Sequence, residues 1–213
     1  SRASSLLAGF AFTFSGFHWA HSQGHMNLIS IEVIPLFVLA WLLYWEHPSW
    51  RRAVAVVAVA LIVIGTEYYF AIYLFFFALI HVAFCRPRPA RFIPLGILSV
   101  ALLLPVGVLL LYHFKTGEFV GAHDPETHVL DLMALFVPGW HWRFAEYTEP
   151  IWRAYSENIH ESCVHIGLAV WAAIILRGRS WFWWSVLVIF TVLAMGPVLS
   201  VAGRRFDLPM PYE

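Results

Sequence analysis

Three histidines, His18, His21 and His25, stand at i, i+3 and i+7. If one helix runs through Gly24, this spacing sets the three imidazoles on a single face. Such a face offers nitrogen ligands to zinc or manganese, or hydrogen bonds to sugar hydroxyls, phosphate or lipid headgroups. A divalent metal is therefore an open option, with no ligand set assigned. Two carboxylates join the candidates, Glu32 about one turn inside an apolar run and Glu67 in the polar break Gly65-Thr66-Glu67. A charge at the bilayer centre costs about 2.5–3.5 kcal/mol on insertion scales, so such groups turn to a cavity, a partner or hydrated interface. Pro35 removes an amide donor close to Glu32 and is expected to kink that helix. Arg143 and Arg153, with Lys115, are the cations of the long segment 114–161, and a guanidinium fork suits phosphate. Trp140, Trp142, Phe144, Tyr147, Trp152 and Tyr155 of that segment can lie in a headgroup belt or stack on sugar faces. The expectation is one outer-leaflet cavity shared by Glu32, Glu67 and the histidine face, roofed by 114–161.

The elements that must position these groups follow from composition. Of the 213 residues, 61% are hydrophobic and only 12% charged, about half the charge of an ordinary soluble domain, so most side chains are expected to face lipid. Thirteen Lys plus Arg balance thirteen Asp plus Glu, leaving no basic excess for a nucleic acid. Cys85 and Cys163 are too few for a disulfide framework or a Cys-based zinc site. Phosphate-cradling Gly loops, a Gly-x-Ser-x-Gly elbow, His-Glu-x-x-His and Asp-x-Asp are all missing from the sequence.

A span needs about 20 residues at 1.5 Å rise to cross about 30 Å of hydrocarbon. Apolar runs bounded by charges and breakers give seven, at 5–20, 28–45, 51–64, 67–85, 92–113, 162–176 and 181–200. Each is expected to be helical, since bare backbone polar groups in lipid cost several kcal/mol. The fold class expected is all-α: one polytopic transmembrane domain over 1–213 with a long extracytoplasmic loop at 114–161. Within that loop, 131–138 reads as a short amphipathic helix lying on the membrane. The stretch from Arg52 to Arg86 is too long for one upright helix, and a fold-back at Gly65 fits best. That fold-back places Arg2, Arg51, Arg52, Arg86, Arg88, Arg91, Arg177 and Arg179 on one side, expected to be the cytoplasm. Lys115, Arg143, Arg153, Arg204 and Arg205 fall on the other.

Read in order, His18…His21…Gly24-His25-Met26-Asn27…Pro35-Leu36, Pro48-Ser49-Trp50-Arg51-Arg52 and Glu67-Tyr68-Tyr69 resemble bacterial multi-spanning proteins of the glycosyltransferase C superfamily. Asp131-Leu132…Val137-Pro138, Glu161…Gly167-Leu168 and Gly196-Pro197-Val198-Leu199…Leu208-Pro209-Met210-Pro211-Tyr212 are similar to later blocks of the same proteins. The resemblance implies a multi-pass protein of the bacterial plasma membrane that takes a sugar from a polyprenyl-phosphate donor on the outer face. In that superfamily the acidic motif carrying the base lies in the first outer loop. The equivalent region is expected upstream of Ser1, so no catalytic base is assigned, and Glu32, Glu67, His18, His21, His25, Arg143 and Arg153 are substrate-binding candidates only. A transporter or lipid flippase and a noncatalytic scaffold are the competing classes. A transporter is expected to show paired half-repeats and a charge near mid-membrane, whereas the polar residues here gather at the outer boundary.

Overall fold

The computed structural model describes residues 2–24, 28–116, 129–155, 164–208 and 210. The protein is mostly helical, and its chain divides into two compact units, 30–122 and the pair of segments 1–29 with 123–213.

The 30–122 unit is a helical bundle. It comprises α3 (Val33–Glu46), α4 (Trp50–Thr66), α5 (Tyr68–Cys85), a 3-10 turn at Pro89–Phe92 and α6 (Ile93–Thr116). α4 packs against α3, α5 and α6. Its small and β-branched residues Ala53, Val56, Val57 and Val63 are buried, as are Phe37, Trp41 and Leu74. The turn between α3 and α4 is fixed at both ends. Ser49 Oγ caps α4 by accepting from the Arg52 amide at 3.3 Å. The Arg52 guanidinium donates to the carbonyls of Leu43 (3.0 Å) and His47 (2.9 Å), satisfying orphan acceptors at the end of α3.

The fold-back expected near Gly65 occurs at Glu67, two residues later. It brings the basic segments 46–52 and 86–91 to one end of this unit. Arg91 Nη1 donates to the Trp45 carbonyl at 3.3 Å, and the Tyr44 hydroxyl donates to the Arg91 carbonyl. Two stretches, Tyr68–Cys85 and Pro89–His113, are long and apolar enough to cross a membrane. Only 22% and 6% of these stretches, respectively, are buried. A buried core helix would show the reverse, so the exposed Ile97, Val100, Leu104 and Val108 of α6 present hydrocarbon outward. Pro105 sits within α6.

Span two differs from its reading. α3 begins at Val33, not 28, so Glu32 is not a turn inside the helix but its N-cap residue, exposed and making no side-chain cap bond. Pro35 consequently falls in the first turn, where its missing amide costs no intrahelical bond and no kink follows.

The other unit contains α1 (Arg2–Thr13), α2 (Gly16–His21), a 3-10 turn at Leu132–Leu135, α7 (Ala145–Trp152), α8 (Leu168–Arg177), α9 (Trp181–Ala194) and a hairpin of β1 (Leu199–Val201) with β2 (Arg204–Phe206). Span one is thus broken, because Ser15 Oγ accepts from the His18 amide at 3.3 Å and starts a new helix. Span seven stops as a helix at Ala194, and its last residues pair as a strand. The expected surface helix at 131–138 is a single 3-10 turn. Its residues pack on a small core, in which Leu130, Ala134 and Tyr155 are buried beneath Met133, Ile151 and Trp152.

One buried carboxylate organises this unit. Asp131 accepts from the Met133 amide (2.8 Å) and Ala202 amide (2.9 Å) at Oδ1, and from Ser200 Oγ (3.0 Å) and the Gly203 amide (2.7 Å) at Oδ2. Ala202 and Gly203 form the two-residue turn between β1 and β2, with φ of 51° and 76°. Positive φ at both positions is what the tight right-twisting hairpin turn requires. Asp131 therefore holds an unfavourable Ala conformation by binding both turn amides.

Candidate functional site

Within the unit formed by 1–29 and 123–213, an open cleft of about 900 Å³ runs beside α1 and α2. Leu7, Phe10 and Phe14 contribute hydrocarbon to its lining, and Trp19, Phe136 and Trp142 contribute aromatic side chains. Among the described residues, the ionisable groups of its lining are His18, His141 and His165, with no Asp, Glu, Lys or Arg beside them.

Each histidine is held by a local cause. His18 projects from α2, and its Nδ1 lies 2.7 Å from the Thr13 carbonyl at the end of α1. His165 precedes α8, and its Nδ1 lies 3.0 Å from the Leu135 carbonyl, which also accepts from Trp171 Nε1 at 2.7 Å. A carbonyl oxygen only accepts, so both Nδ1 atoms carry a hydrogen and donate it. His141 follows the 3-10 turn, and its Nδ1 is buried with no hydrogen-bond partner. Burial, and behind it the neighbouring His165, holds His141 below the ordinary imidazole range, so it is the neutral form that occupies this position.

The residues singled out by sequence are distributed differently from the shared face expected. His18 lines the cleft. His21 does not; it is fully buried, its ring stacked on Phe17 at 4.0 Å and its Nδ1 2.9 Å from the Phe17 carbonyl. α2 ends at His21, so the single helical face through Gly24 does not form, and His25 lies outside the described residues. Among the described residues, no group of three or more His, Cys, Asp or Glu is arranged to hold a metal ion. Glu67, in the 30–122 unit, is buried and caps α5 by accepting from the Tyr69 amide at 3.3 Å. Arg153 pairs with Glu149 one helical turn away, its guanidinium 5.4 Å from the Trp152 ring. Arg143 is exposed, 5.9 Å from the Phe144 ring centre. Neither arginine lines the cleft.

The loop aromatics are partly committed to internal bonds. Trp142 Nε1 donates to Thr148 Oγ1 (3.1 Å), Trp152 Nε1 to the Ala145 carbonyl (2.8 Å), and the Tyr155 hydroxyl to the Val137 carbonyl (3.4 Å). Burial, reinforced by the Asp131 charge, pushes the Tyr155 hydroxyl well above the ordinary phenol range, which keeps it a donor. His141 and His165 escaped sequence reasoning because they come from separate segments with no helical spacing between them. Asp131 did carry a signal, an Asp at a helix start, which reported its capping role but not its long-range one.

No protein-family model, curated protein or solved structure matches this chain. The functional reading therefore rests on the chemistry of the cleft.

Proposed function

We propose that the chain is the membrane-embedded part of a glycosyltransferase that takes a sugar from a polyprenyl-phosphate donor on the extracytoplasmic face of a bacterial plasma membrane. In this reading the spans number about seven and the basic end of the 30–122 unit faces the cytoplasm. The observation that carries it is the amphiphilic cleft, whose lining combines hydrocarbon from Leu7, Phe10 and Phe14 with the imidazoles of His18, His141 and His165. A lipid-linked sugar has that division of character, an apolar chain ending in a polar head, and large apolar pockets with a few convergent polar groups are the usual form of a ligand site. The exposed hydrocarbon of α6 supports a lipid setting.

The test is transfer of radiolabelled sugar from polyprenyl phosphate in membranes containing the full-length protein. Transfer that falls at least tenfold on His165→Asn substitution supports the reading. No transfer with any lipid-linked donor, together with substrate flux in proteoliposomes, would replace it with a transporter.

A further inference from the structure

The 30–122 unit holds a cavity of its own, of about 490 Å³, with a lining that is almost wholly hydrocarbon and aromatic. Among the described residues, the polar side-chain groups on that lining are the Ser99 hydroxyl and the Trp41 indole N–H, and neither carries charge. The lining draws on both stretches that are long and apolar enough to cross a membrane. On α5 its residues extend from Val82 back to Ala71, and on the other stretch from Phe92 forward to Leu103, about 16 Å in each case at 1.5 Å per residue. Half of a hydrocarbon core about 30 Å thick is about 15 Å, so the groove is as deep as one leaflet.

Both runs start at the basic end of the unit. Val82 lies one turn before Arg86, and Phe92 directly follows Arg91. The Phe92 ring is 4.9 Å from that of Trp45, whose carbonyl accepts from Arg91 Nη1. Segments 46–52 and 86–92 together carry Arg51, Arg52, Arg86, Arg88 and Arg91 against one carboxylate, Glu46. That carboxylate lies 3.9 Å from the His47 ring. Arg86, Arg88 and Arg91 are exposed, and a guanidinium that has given one N–H to a carbonyl still has donors for a phosphate. A hydrocarbon groove one leaflet deep that starts beside arginines matches a molecule with a fatty chain and an anionic head.

We propose that this groove binds an anionic glycerophospholipid of the leaflet at the basic end, with one acyl chain along 71–82 and 92–103 and the headgroup phosphate at Arg86, Arg88 and Arg91. The site rests on the lipid setting of α5 and α6 alone and stands whether or not the chain transfers a sugar. In the proposed topology it belongs to the cytoplasmic leaflet, opposite the face where the donor reacts.

The experiment reconstitutes the full-length protein in nanodiscs of equal phosphatidylglycerol and phosphatidylcholine, releases it into mild detergent and reads the retained lipid by native mass spectrometry, followed by titration with each lipid. Phosphatidylglycerol should be retained and should rebind about tenfold or more tightly than phosphatidylcholine, and excess inorganic phosphate should not displace it. Arg88→Gln should weaken binding about fivefold, and Arg86→Gln with Arg88→Gln about 25-fold. Gly96→Phe removes no charge. A Cβ at Gly96, a lining residue, meets nothing within 4 Å, so the ring enters open space and should weaken binding about tenfold or more by occupying the groove. Ala78→Phe, on α5, makes the same test if the first variant misfolds. A diffuse attraction between the basic end and an anionic bilayer would follow the arginines and ignore Gly96 and Ala78, so unchanged binding in both folded Phe variants overturns the site. Equal retention of the two lipids, displacement by inorganic phosphate, tighter binding of polyprenyl phosphate, or a lipid-free dimer in which a second copy fills the groove would each overturn it as well.

Discussion

Substitution of Asp131 tests whether one carboxylate sets the geometry of the hairpin. Four donors converge on it, three of them backbone amides, and the side chain is 2% exposed. Asp131→Ala removes every acceptor at once. Hydrogen bonds to a charged group are worth about 1.5–3 kcal/mol each. The turn residues Ala202 and Gly203 are themselves exposed, so water can reclaim part of the loss there, and a net cost of about 4 kcal/mol is reasonable for the four bonds together. Asp131→Asn is milder. Its amide NH₂ is best tolerated at the Oδ2 position, where Ser200 Oγ can turn to accept from it, leaving one clash with the Gly203 amide. That single conflict costs about 2 kcal/mol. Amide hydrogen exchange over 199–206, followed by mass spectrometry in nanodiscs, reads these numbers as opening equilibria. At 1.36 kcal/mol per decade, Asn should speed exchange about 30-fold and Ala by about 10³. Unchanged exchange in Asp131→Ala would refute the view that this residue holds the turn.

Three further outcomes are expected. Ala202→Gly relieves a left-handed backbone conformation at φ 51° and should stabilise the hairpin by up to about 1 kcal/mol, whereas Gly203→Ala drives a Cβ to 2.2 Å from the Ala154 carbonyl oxygen and should abolish hairpin protection; exchange over the same segment scores both. Because His141 is held below its unfolded pKa, the unfolded chain binds more protons as pH falls through about 6.5, so stability is present above that pH and is lost on acidification; replacing His141 with Phe should flatten the profile of thermal unfolding between pH 7 and 5. Cys85 is an exposed free thiol at the end of α5, the end shared with the basic segments; in the proposed topology, impermeant maleimide added to intact cells labels Cys163 and spares Cys85, and equal labelling would overturn that orientation.

What was legible in the sequence was decided by how local the controlling physics is. The fold-back between α4 and α5 could be read because a polar break interrupts a run too long for one upright helix, and the structure turns at Glu67 within that break. Span one was misread for an equally local reason. The apolar run 5–20 continues through Ser15, yet the Ser15 side chain competes for an amide and begins a second helix; that helix stops at His21, whose ring is buried against Phe17 while His18 lines the cleft, so the i, i+3 spacing does not make one working face. The cleft could not be read at all, since His18, His141 and His165 lie far apart along the chain and acquire a common wall only through folding.

The two glutamates show how helix ends separate residues that look alike in sequence. Both precede an apolar helix, and both occupy N-cap positions. Glu67 is buried and accepts from the Tyr69 amide, so part of its chemistry is committed to starting α5. Glu32 is exposed and makes no cap bond. A carboxylate next to an apolar run is thus first a candidate for the orphan amides of that helix and only afterwards a candidate for a ligand. By that order Glu32 retains a carboxylate uncommitted to capping its helix, while Glu67 spends a carboxylate oxygen on the Tyr69 amide at the turn that brings the basic segments of the 30–122 unit to one end.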